Sequence, residues 1–462
     1  MPQTVNDIHS QLNEAEVEDV LEVDSLEAVQ AAIGRARLLG KPVAVCGGRH
    51  AMGGQQFCAG GLLVDTRGLT RVLGFDPEQG TIEVEAGIQW PELYGYLLSD
   101  EARGGRWGFV QKQTGADRLT LGGSVSANVH GRALAMRPIV ADVESLVLVD
   151  ASGEPRTCSR SADPELFSLV VGGYGLFGVV YSVTLRLGPR RKLERVVEVR
   201  DIGGLMEAFD ERIRSGFLYG DFQFATDPES DEFLRAGVFS CYRPVPQETP
   251  LPAGQRALST GDWKKLLYLA HTDKSEAFAR YAEHYLGTSG QIYFSDGHQL
   301  SEYIDDYHVE LDGVLGAANR ATEMISELYV PRDRLSDFVG EVAEDFRRRS
   351  VDVIYGTIRL IERDEETFLP WARDRFACII FNIHTEHTAK GLEASAEAFR
   401  SLIDTAIGLG GSYFLTYHRW ATKEQLLRCY PQFGGFLAKK REYDPEERFQ
   451  SDWYRHYGAL FD

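Results

Sequence analysis

The sequence has little positive charge for its size. Its 462 residues include 49 lysines and arginines against 69 aspartates and glutamates, which gives a formal net charge of −20. Such an excess of negative charge repels phosphate backbones and anionic lipid surfaces. No segment gathers basic residues into a face that would offset this repulsion, so we expect no nucleic-acid partner.

Cysteine motifs and long apolar segments are also absent. The six cysteines stand apart, without a C-x-x-C pair or a metal-ligand spacing, and we expect them to be reduced thiols. No apolar run reaches the roughly 20 residues that a membrane-spanning helix requires. The N-terminal residues lack the basic region and apolar core of a secretory signal. The sequence therefore predicts a cytoplasmic protein without an integral membrane segment.

The histidines form no metal motif. His384 and His387 lie three residues apart, but no third ligand follows at a spacing typical of a zinc site. We therefore predict no metal site from the sequence.

What the sequence contains is typical of a folded globular protein. Apolar residues make up 43% and charged residues 26%, and the length suggests two or three domains. Residues 24–39 have a helical pattern, and short β-rich segments at 43–45, 62–64, 81–85, 143–149 and 179–187 are separated by glycine-rich turns. After about residue 193 glycine is less dense, and strands at 324–330 and 355–360 alternate with helices such as 389–409. These patterns predict an α+β fold with a second domain.

Two glycine-rich segments follow strands in the first part of the chain. Residues 46–55 read CGGRHAMGGQ, and residues 121–131 read LGGSVSANVHG. Glycine permits positive φ angles and exposes consecutive N–H groups, which together form concavities that hold a pyrophosphate. In so acidic a protein, backbone dipoles rather than lysines would then supply the charge that binds the anion.

A third segment matches the G-x-G-x-x-G fingerprint of dinucleotide-binding proteins. Residues 173–178 read GYGLFG, and Glu198 lies near the expected acidic position. The fingerprint requires a strand, then the loop, then a helix. Here a helical run precedes the glycines and a strand follows them, so a nicotinamide-binding Rossmann domain is disfavoured.

The order of these segments is similar to that of a known family. Gly48-Arg49-His50 follows a Pro-Val-Ala-Val strand, Thr120-Leu121-Gly122-Gly123 leads to His130-Gly131, and DPELF at 163–167 precedes GGYGLFG at 172–178. Over residues 43–187 this order resembles the vanillyl-alcohol-oxidase type, or PCMH type, of FAD-binding oxidoreductases. Later motifs resemble the closing segment of sugar-acting members, among them decaprenylphosphoryl-ribose oxidase and the alditol and aldonolactone oxidases: Gly410-Gly411, Tyr430-Pro431, Asp444-Pro445, Phe449 and Ser451.

The resemblance implies a domain organisation. The α+β fold would contain a two-subdomain PCMH-type FAD-binding domain and a substrate domain made of a sheet and helices. Residues 1–192 would form the FAD-binding domain and residues 193–420 the substrate domain. Residues 421–462 would be a C-terminal segment that returns to the FAD-binding domain.

The cofactor that the resemblance implies is FAD. The residues implied to contact it are Gly47, Gly48, Arg49, His50, Ala51, Met52, Gly53, Gly54, Gln55, Gly115, Ala116, Thr120, Gly122, Gly123, Ser126, Ala127, His130, Gly175, Leu176, Gly178 and Val180. His50 lies where several members bond a histidine nitrogen to the flavin C8 methyl group. Decaprenylphosphoryl-ribose oxidase has a serine there and binds FAD without a bond, and Ala51 stands where alditol oxidase has a serine. Covalent attachment through His50 and non-covalent binding are therefore both open.

Such a flavoenzyme transfers a hydride from a substrate C–H to flavin N5 while a side chain takes the hydroxyl proton. The two-residue period of a strand places Glu327 on one face with Ile325 and Tyr329, and places Arg359 on one face with Tyr355 and Thr357. A carboxylate or a guanidinium on an inward face is costly unless it is paired or used. We therefore predict Glu327 and Arg359 as catalytic-site residues.

The family resemblance adds further candidates. Arg359 and Asn382 would bind substrate hydroxyls or an oxyanion, and His130 would sit near the flavin rather than act as the base. Tyr417 stands where a similar member of the family has a lysine, and His418 follows it. Either residue could be the base, and a strand at this point would put them on opposite faces.

The sequence thus predicts an FAD-dependent oxidoreductase, an oxidase or a dehydrogenase that acts on a CH–OH group. The substrate would be a sugar, polyol, lactone or related small alcohol, and oxygen or another acceptor would take the electrons. Two alternatives stay open. One is a flavin-dependent dehydrogenase or desaturase of a lipid or secondary metabolite, and the other is a flavin-binding protein without alcohol turnover.

Overall fold

The computed structural model of the protein describes residues 2–461 apart from residues 103, 302 and 305. Its strands are β1 (Gln3–Val5), β2 (Ala15–Val17), β3 (Asp19–Glu22), β4 (Val43–Cys46), β5 (Leu62–Asp65), β6 (Val72–Asp76), β7 (Thr81–Glu85), β8 (Trp107–Phe109), β9 (Val143–Val149), β10 (Pro155–Ser159), β11 (Val179–Pro189), β12 (Lys192–Asp201), β13 (Tyr219–Phe224), β14 (Ala236–Val245), β15 (Ile292–Phe294), β16 (Ala321–Pro331), β17 (Val353–Ile361), β18 (Phe376–Glu386) and β19 (Ser412–Tyr413). Its helices are α1 (Leu26–Leu39), α2 (Trp90–Leu98), α3 (Leu121–Ser126), α4 (Pro164–Val170), α5 (Leu205–Arg214), α6 (Thr260–Thr272), α7 (Lys274–Leu286), α8 (Tyr307–Leu315), α9 (Leu335–Arg349), α10 (Ala389–Gly408), α11 (Lys423–Cys429), α12 (Phe433–Tyr443) and α13 (Asp452–Gly458). This mixture of helices and sheets confirms the predicted α+β class.

The first part of the chain contains a small parallel sheet with the order β3-β5-β4. Helix α1 packs against it because its buried residues recur at helical spacing on one face. Ser25 begins α1 by accepting a hydrogen bond from the N–H of Ala28, and Gly40 ends it with a φ of 61°. The predicted helix at 24–39 is confirmed.

A second, antiparallel sheet has the order β10-β9-β11-β7-β6, and β8 also pairs with β11. The long strand β11 alternates buried apolar residues with more exposed ones over much of its length, as the two-residue period predicts. The loop at 173–178 lies between α4 and β11, which is the reverse of the dinucleotide-binding arrangement. The structure therefore agrees with the rejection of a Rossmann domain.

The largest sheet has eight strands in the order β15-β12-β14-β13-β17-β18-β16-β19, all of them from residues 192–413. Helices α9 and α10 pack against β16, and α10 also packs against β18, with buried apolar faces. Helices α6 and α7 form a hairpin that packs beside β12, β14 and β17. This sheet forms one wall of the cavity described below.

The strand that we considered at residues 417 and 418 is wrong. Strand β19 ends at Tyr413, and the chain then turns away from the sheet edge. The side chain of Gln55 holds this turn by donating to the carbonyl oxygens of Leu415 and Thr416 at 3.1 and 3.0 Å. Because these carbonyls bond to a side chain rather than to a neighbouring strand, the segment does not continue the sheet.

The C-terminal residues pack against the small parallel sheet. The N–H of Val43 donates to the carbonyl of Arg448 at 2.7 Å, and the N–H of Gln450 donates to the carbonyl of Val43 at 2.9 Å. Further along, the ring of Trp453 lies 4.8 Å from the ring of Tyr174. The last helices are thereby fixed beside the glycine loops.

All six cysteines are free and buried. In the described part of the chain, no helix combines the length and the apolar character that crossing a bilayer requires.

The C-terminal segment contains a buried ion pair that we expect to contribute strongly to stability. Lys440 Nζ lies 2.6 Å from Asp444 Oδ2, both side chains are almost fully buried, and the carboxylate also accepts from the N–H groups of Arg448 and Phe449. Lys440→Met leaves a buried carboxylate without its cation, which should lower the free energy of unfolding by about 3–5 kcal/mol. Urea titration of the purified protein measures this change.

Lys439→Met is the matched control, because the neighbouring Lys439 makes solvent-exposed ion pairs with Glu165 and Glu442. Its unfolding midpoint should stay close to that of the unmodified protein. Equal midpoints for the two variants would contradict the assignment.

Candidate active site

A cavity of about 780 Å³ lies between the glycine loops and the eight-stranded sheet. This volume is in the range of about 300–1,000 Å³ that is typical of ligand and cofactor sites. One end is lined by backbone from the loops that follow β4, precede β11 and surround α3. The other end is lined by side chains from β16 and β17 and from the α6–α7 hairpin.

Two of the loops meet backbone to backbone. A Cβ atom on Gly48 would lie 2.2 Å from the carbonyl oxygen of Arg118, and a Cβ atom on Gly47 would lie 2.0 Å from Thr120 Oγ1. Thr120 in turn caps α3 by accepting from the N–H of Gly123 at 3.2 Å. Only glycine permits this approach, which leaves bare backbone facing the cavity.

The third loop reaches the same end of the cavity. Gly175 has a φ of 74° and Gly178 a φ of 151°, and a Cβ atom on Gly178 would lie 2.5 Å from the carbonyl oxygen of Val149. Both glycines line the cavity together with Val180. The three segments that the sequence singled out therefore converge on one place.

His50 lines this end of the cavity and pairs with a second histidine. Its Nδ1 atom lies 2.8 Å from His9 Nε2, and the ring of His9 contacts the ring of Tyr303 edge-on. Burial, together with the neighbouring His9, lowers the pKa of His50 to about 3. The other nitrogen, Nε2, is buried and makes no hydrogen bond of normal geometry, although the Arg118 carbonyl faces the ring. His50 is therefore a neutral imidazole at neutral pH.

At the centre of the cavity a buried histidine meets a buried carboxylate. His130 Nε2 lies 2.7 Å from Glu327 Oε1, and the opposite nitrogen, Nδ1, lies 2.9 Å from the carbonyl oxygen of Gly131. Tyr329 donates its hydroxyl to the same carboxylate oxygen, and Cys378 Sγ lies 3.5 Å from it. His130 comes from the loop after α3, whereas Glu327 comes from β16, so this pair joins the two walls of the cavity.

The hydrogen bonds of this pair define its charge. Burial alone would raise the pKa of Glu327, but His130, Tyr329 and Arg359 together lower it. With Glu327 ionised, both partners of the His130 ring are acceptors.

Three more predicted residues line the same cavity as this pair. Arg359 Nη2 donates to Thr114 Oγ1 at 2.6 Å, while Arg359 Nε is buried without a partner. Burial and the nearby Glu327 raise the pKa of Tyr417 well above its ordinary value, so its hydroxyl stays protonated at neutral pH. Asn382 also lines the cavity.

Most of the predicted site residues thus line one cavity. They are Gly47, Gly48, Arg49, His50, Ala51, Gln55, Gly115, Ala116, Thr120, Gly122, Gly123, Ser126, Ala127, His130, Gly175, Gly178, Val180, Glu327, Arg359, Asn382 and Tyr417.

Five predicted residues lie outside the lining: Met52, Gly53, Gly54, Leu176 and His418. Met52 and Leu176 are buried in the apolar core, and Gly53 and Gly54 lie in the turn below Gln55. His418 packs among aromatic rings, 4.5 Å from Phe399 and 5.7 Å from Trp420 between centroids, and burial lowers its pKa to about 3. Its ring therefore does not reach the cavity from which a base would act.

The far end of the cavity was not predicted. It is lined by Arg132, whose Nη1 atom lies 3.4 Å from Asp221 Oδ2, and by Tyr281 and Tyr285 of α7. These residues come from segments far apart in the sequence, and none belongs to a motif. Only their position in the folded chain identifies them.

The site has the features of a flavin-dependent oxidoreductase, with exposed backbone at one end and a buried histidine–carboxylate pair between the two walls. Comparison with known proteins agrees. Residues 18–159 match the family described as "FAD binding domain". The chain thus contains a PCMH-type FAD-binding domain, and we identify it as an FAD-dependent oxidoreductase.

Several relatives are similar over different lengths. L-gulono-1,4-lactone dehydrogenase of Mycobacterium tuberculosis is 25% identical over 409 residues, which cover 86% of each chain. L-gulonolactone oxidase of Bos taurus is 26% identical over 208 residues, or 45% of each chain. Cytokinin dehydrogenase 6 of Oryza sativa is 31% identical over 166 residues, which cover 34% of this chain and 30% of the relative.

The contact between the first two loops predicts the effect of one methyl group. Gly48→Ala places a Cβ atom against the backbone carbonyl of Arg118, which cannot rotate away as a side chain can. Forced overpacking of this kind costs typically about 1–3 kcal/mol and shifts the backbone. We expect the purified variant to retain much less flavin, measured as the ratio of visible flavin absorbance to protein absorbance.

Gly34→Ala in α1 is the control, because nothing lies within 4 Å of the added atom. It should keep the full flavin content, and a Gly48→Ala variant with full flavin content would refute this account of the loop.

Proposed function

We propose that the protein oxidises a CH–OH group of a sugar lactone or polyol. The observation that carries this proposal is the His130–Glu327 pair, which joins the two walls of the cavity and is buried beside Arg359 and Tyr417. Buried ionised groups are costly and are therefore more common where chemistry uses them. Alcohol oxidation needs such groups to hold the hydroxyl and to accept its proton.

The residues at the loop end fit FAD. Gly47, Gly48, Gly122, Gly123 and Gly175 present backbone that a diphosphate can approach closely. The buried Oε1 atom of Gln113 has no partner in the protein and faces the same cavity, as expected where a cofactor supplies the missing hydrogen bond. When bound there, FAD supplies the hydride acceptor.

The proton of the substrate hydroxyl has a path through Tyr417 and Glu327. Tyr417 keeps its hydroxyl proton at neutral pH, because its pKa is raised, and it interacts with the Glu327 carboxylate. Its oxygen can accept the substrate proton as its own proton passes to Glu327. His130 holds Glu327 in place through the 2.7 Å contact.

Arg359 and Asn382 are suited to orient the substrate. Arg359 Nε and Thr357 Oγ1 are buried without partners on the cavity wall, so they are available to oxygen atoms of a hydroxylated ligand. Arg132 Nε, at the far end, is unpartnered in the same way. A polyhydroxylated substrate supplies acceptors for all three positions.

The relatives support a lactone-like substrate, since the names of two of them are L-gulono-1,4-lactone dehydrogenase and L-gulonolactone oxidase. One is named as a dehydrogenase and the other as an oxidase, so oxygen and other electron acceptors are both candidates. The desaturase alternative has less support, because the many polar groups of the cavity suit a hydroxylated ligand better than an apolar one. A cytoplasmic location stays a prediction.

Anaerobic mixing with L-gulono-1,4-lactone and with simple alditols tests the proposed activity. At least one of them should bleach the flavin absorbance rapidly. Glu327→Gln and Tyr417→Phe should slow this reduction by about 10²–10⁴-fold, because both remove a step of the proton path. His418→Asn, which alters a ring outside the cavity, should reduce at the normal rate.

Fast reduction by both variants would refute the proton path. A flavin that no alcohol reduces but that an apolar alkane or alkene donor does reduce would favour the desaturase alternative. A flavin that none of them reduces would favour a binding protein without turnover.

We further propose that His50 forms the covalent bond to the flavin. A nitrogen of its ring would replace one hydrogen of the C8 methyl group, with release of the methyl and imidazole protons, and the two electrons of the broken C–H bond would pass through the flavin to its electron acceptor. The ring is neutral and faces the cavity, and a hydrogen bond from Nδ1 to His9 would leave the Nε2 lone pair for this bond. Acid precipitation of the purified protein should leave the yellow colour in the pellet, and His50→Ala should release the colour into the supernatant. His418→Asn should behave as the unmodified protein does, and free colour from the unmodified protein would establish non-covalent binding.

A further inference from the structure

A second cluster of histidines and a carboxylate lies in the cavity wall, away from the acid–base pair. Glu323 lies on β16 directly opposite His384 of β18 in the strand register, and His271 reaches it from the last turn of α6. Glu323 shares a strand face with Glu327 but lies four residues before it, roughly 13 Å along the strand. Neither the proton path nor the FAD end uses these three residues.

Two imidazole nitrogens point at one carboxylate oxygen in this cluster. His271 Nε2 lies 3.4 Å and His384 Nδ1 lies 3.9 Å from Glu323 Oε1, and the three ligand atoms all lie within 4.8 Å of one another. The side chain of His271 is only 4% exposed and that of Glu323 only 8%. Tyr307 donates its hydroxyl to the second oxygen, Oε2, and so orients the carboxylate.

The two nitrogens lack hydrogen-bond partners. His271 Nε2 and His384 Nδ1 are both buried, and neither makes a hydrogen bond of normal geometry. Buried polar atoms nearly always have hydrogen-bond partners, so two neighbouring nitrogens without partners require an explanation. Direct hydrogen bonds to Glu323 would bring them to about 2.7–3.2 Å, but both are farther away.

Their spacing suits a metal ion. Zinc binds histidine nitrogens and carboxylate oxygens at about 2.0–2.2 Å, which separates neighbouring tetrahedral ligands by about 3.3 Å. The 3.4 Å between His271 Nε2 and Glu323 Oε1 matches this separation. The 3.9 Å between His384 Nδ1 and Glu323 Oε1 corresponds to a wider angle between these two ligands at the metal ion. Carboxylates that bind metals are commonly held in place by a hydrogen bond to the other carboxylate oxygen, as Tyr307 provides for Glu323.

The charge around the cluster favours a cation. The Glu323 carboxylate is buried within the cluster, and the carboxylates of Asp352 and Asp312 lie near His384. The nearby cation, Lys274, is already bound to Asp352 at 2.9 Å.

We propose that His271, Glu323 and His384 form a binding site for a divalent transition-metal ion of the zinc type. Two imidazoles and one carboxylate, without a thiolate, are a ligand set for zinc, cobalt or iron(II) rather than for calcium or magnesium. Three protein ligands leave a coordination position open, and Glu323 and Tyr307 line the cavity. The ion would therefore hold an oxygen atom at the distal end of a ligand in the cavity, away from the reacting carbon.

The two histidines that lie close together in the sequence here do not both belong to the cluster. His387, three residues after His384, bonds Thr322 Oγ1 through Nε2 at 2.9 Å and does not enter the cluster. It is therefore a matched control, since it is a histidine of the same segment with a different partner.

Cobalt(II) titration of the flavin-loaded protein, after treatment with a chelator, tests the proposal independently of turnover. We expect one equivalent to bind with a visible d–d spectrum, and zinc to displace it in calorimetry. His271→Gln, Glu323→Gln and His384→Gln should each weaken binding more than about 100-fold, and Tyr307→Phe about 10–100-fold. His387→Gln should bind as the unmodified protein does.

Circular dichroism and flavin content establish that each variant is folded, and Tyr307→Phe keeps the proposal testable if a ligand variant fails to fold. Absence of a d–d spectrum at saturating cobalt would overturn the proposal and leave a proton-linked triad. Equal binding by His384→Gln and His387→Gln would also overturn it, because the ion would then occupy another site, such as the His9–His50 pair. Neither result depends on whether an alcohol reduces the flavin.

Discussion

The site depends on how closely two stretches of backbone approach each other. Gly47 and Gly48 meet Arg118 and Thr120 at distances where a Cβ atom would overlap its neighbours. Side chains are excluded there by geometry, so N–H and carbonyl groups form that end of the cavity. A protein with a formal charge of −20 can bind an anionic cofactor in this way, because backbone dipoles attract the diphosphate without adding lysines.

The opposite wall is attached to these loops through charge rather than through apolar contact alone. His130 follows α3, which packs against β11, and Glu327 lies on β16, so their 2.7 Å contact joins a loop beside the antiparallel sheet to the eight-stranded sheet. Losing either partner would leave a buried polar group with fewer hydrogen bonds. In the proposed function the same contact holds the carboxylate of the proton path, so stability and chemistry would depend on the same pair.

The sequence predicted the parts of the fold that local patterns determine. The helix ending at Gly40, the strand alternation that turns Glu327 and Arg359 toward the cavity, and the order of the three glycine loops all depend on residues close together in the chain. His418 shows where such reasoning stops. Its position next to Tyr417 is the same in the sequence whether the segment is a strand or a turn. The side chains that hold the turn are distant in the sequence: Gln55, more than 300 residues earlier, and Trp453 both donate to its carbonyl oxygens.

The cluster of His271, Glu323 and His384 in the cavity wall shows more clearly what local sequence patterns do not predict. Glu323 faces the cavity by the same alternation that places Glu327, but the two histidines that meet it come from α6 and β18. His384 and His387 lie close together in the sequence, but β18 ends at Glu386, so His387 lies beyond the strand that carries His384. His384 meets Glu323, whereas His387 meets Thr322. Finding the partners of His384 requires the register of β16 against β18 and the position of the end of α6.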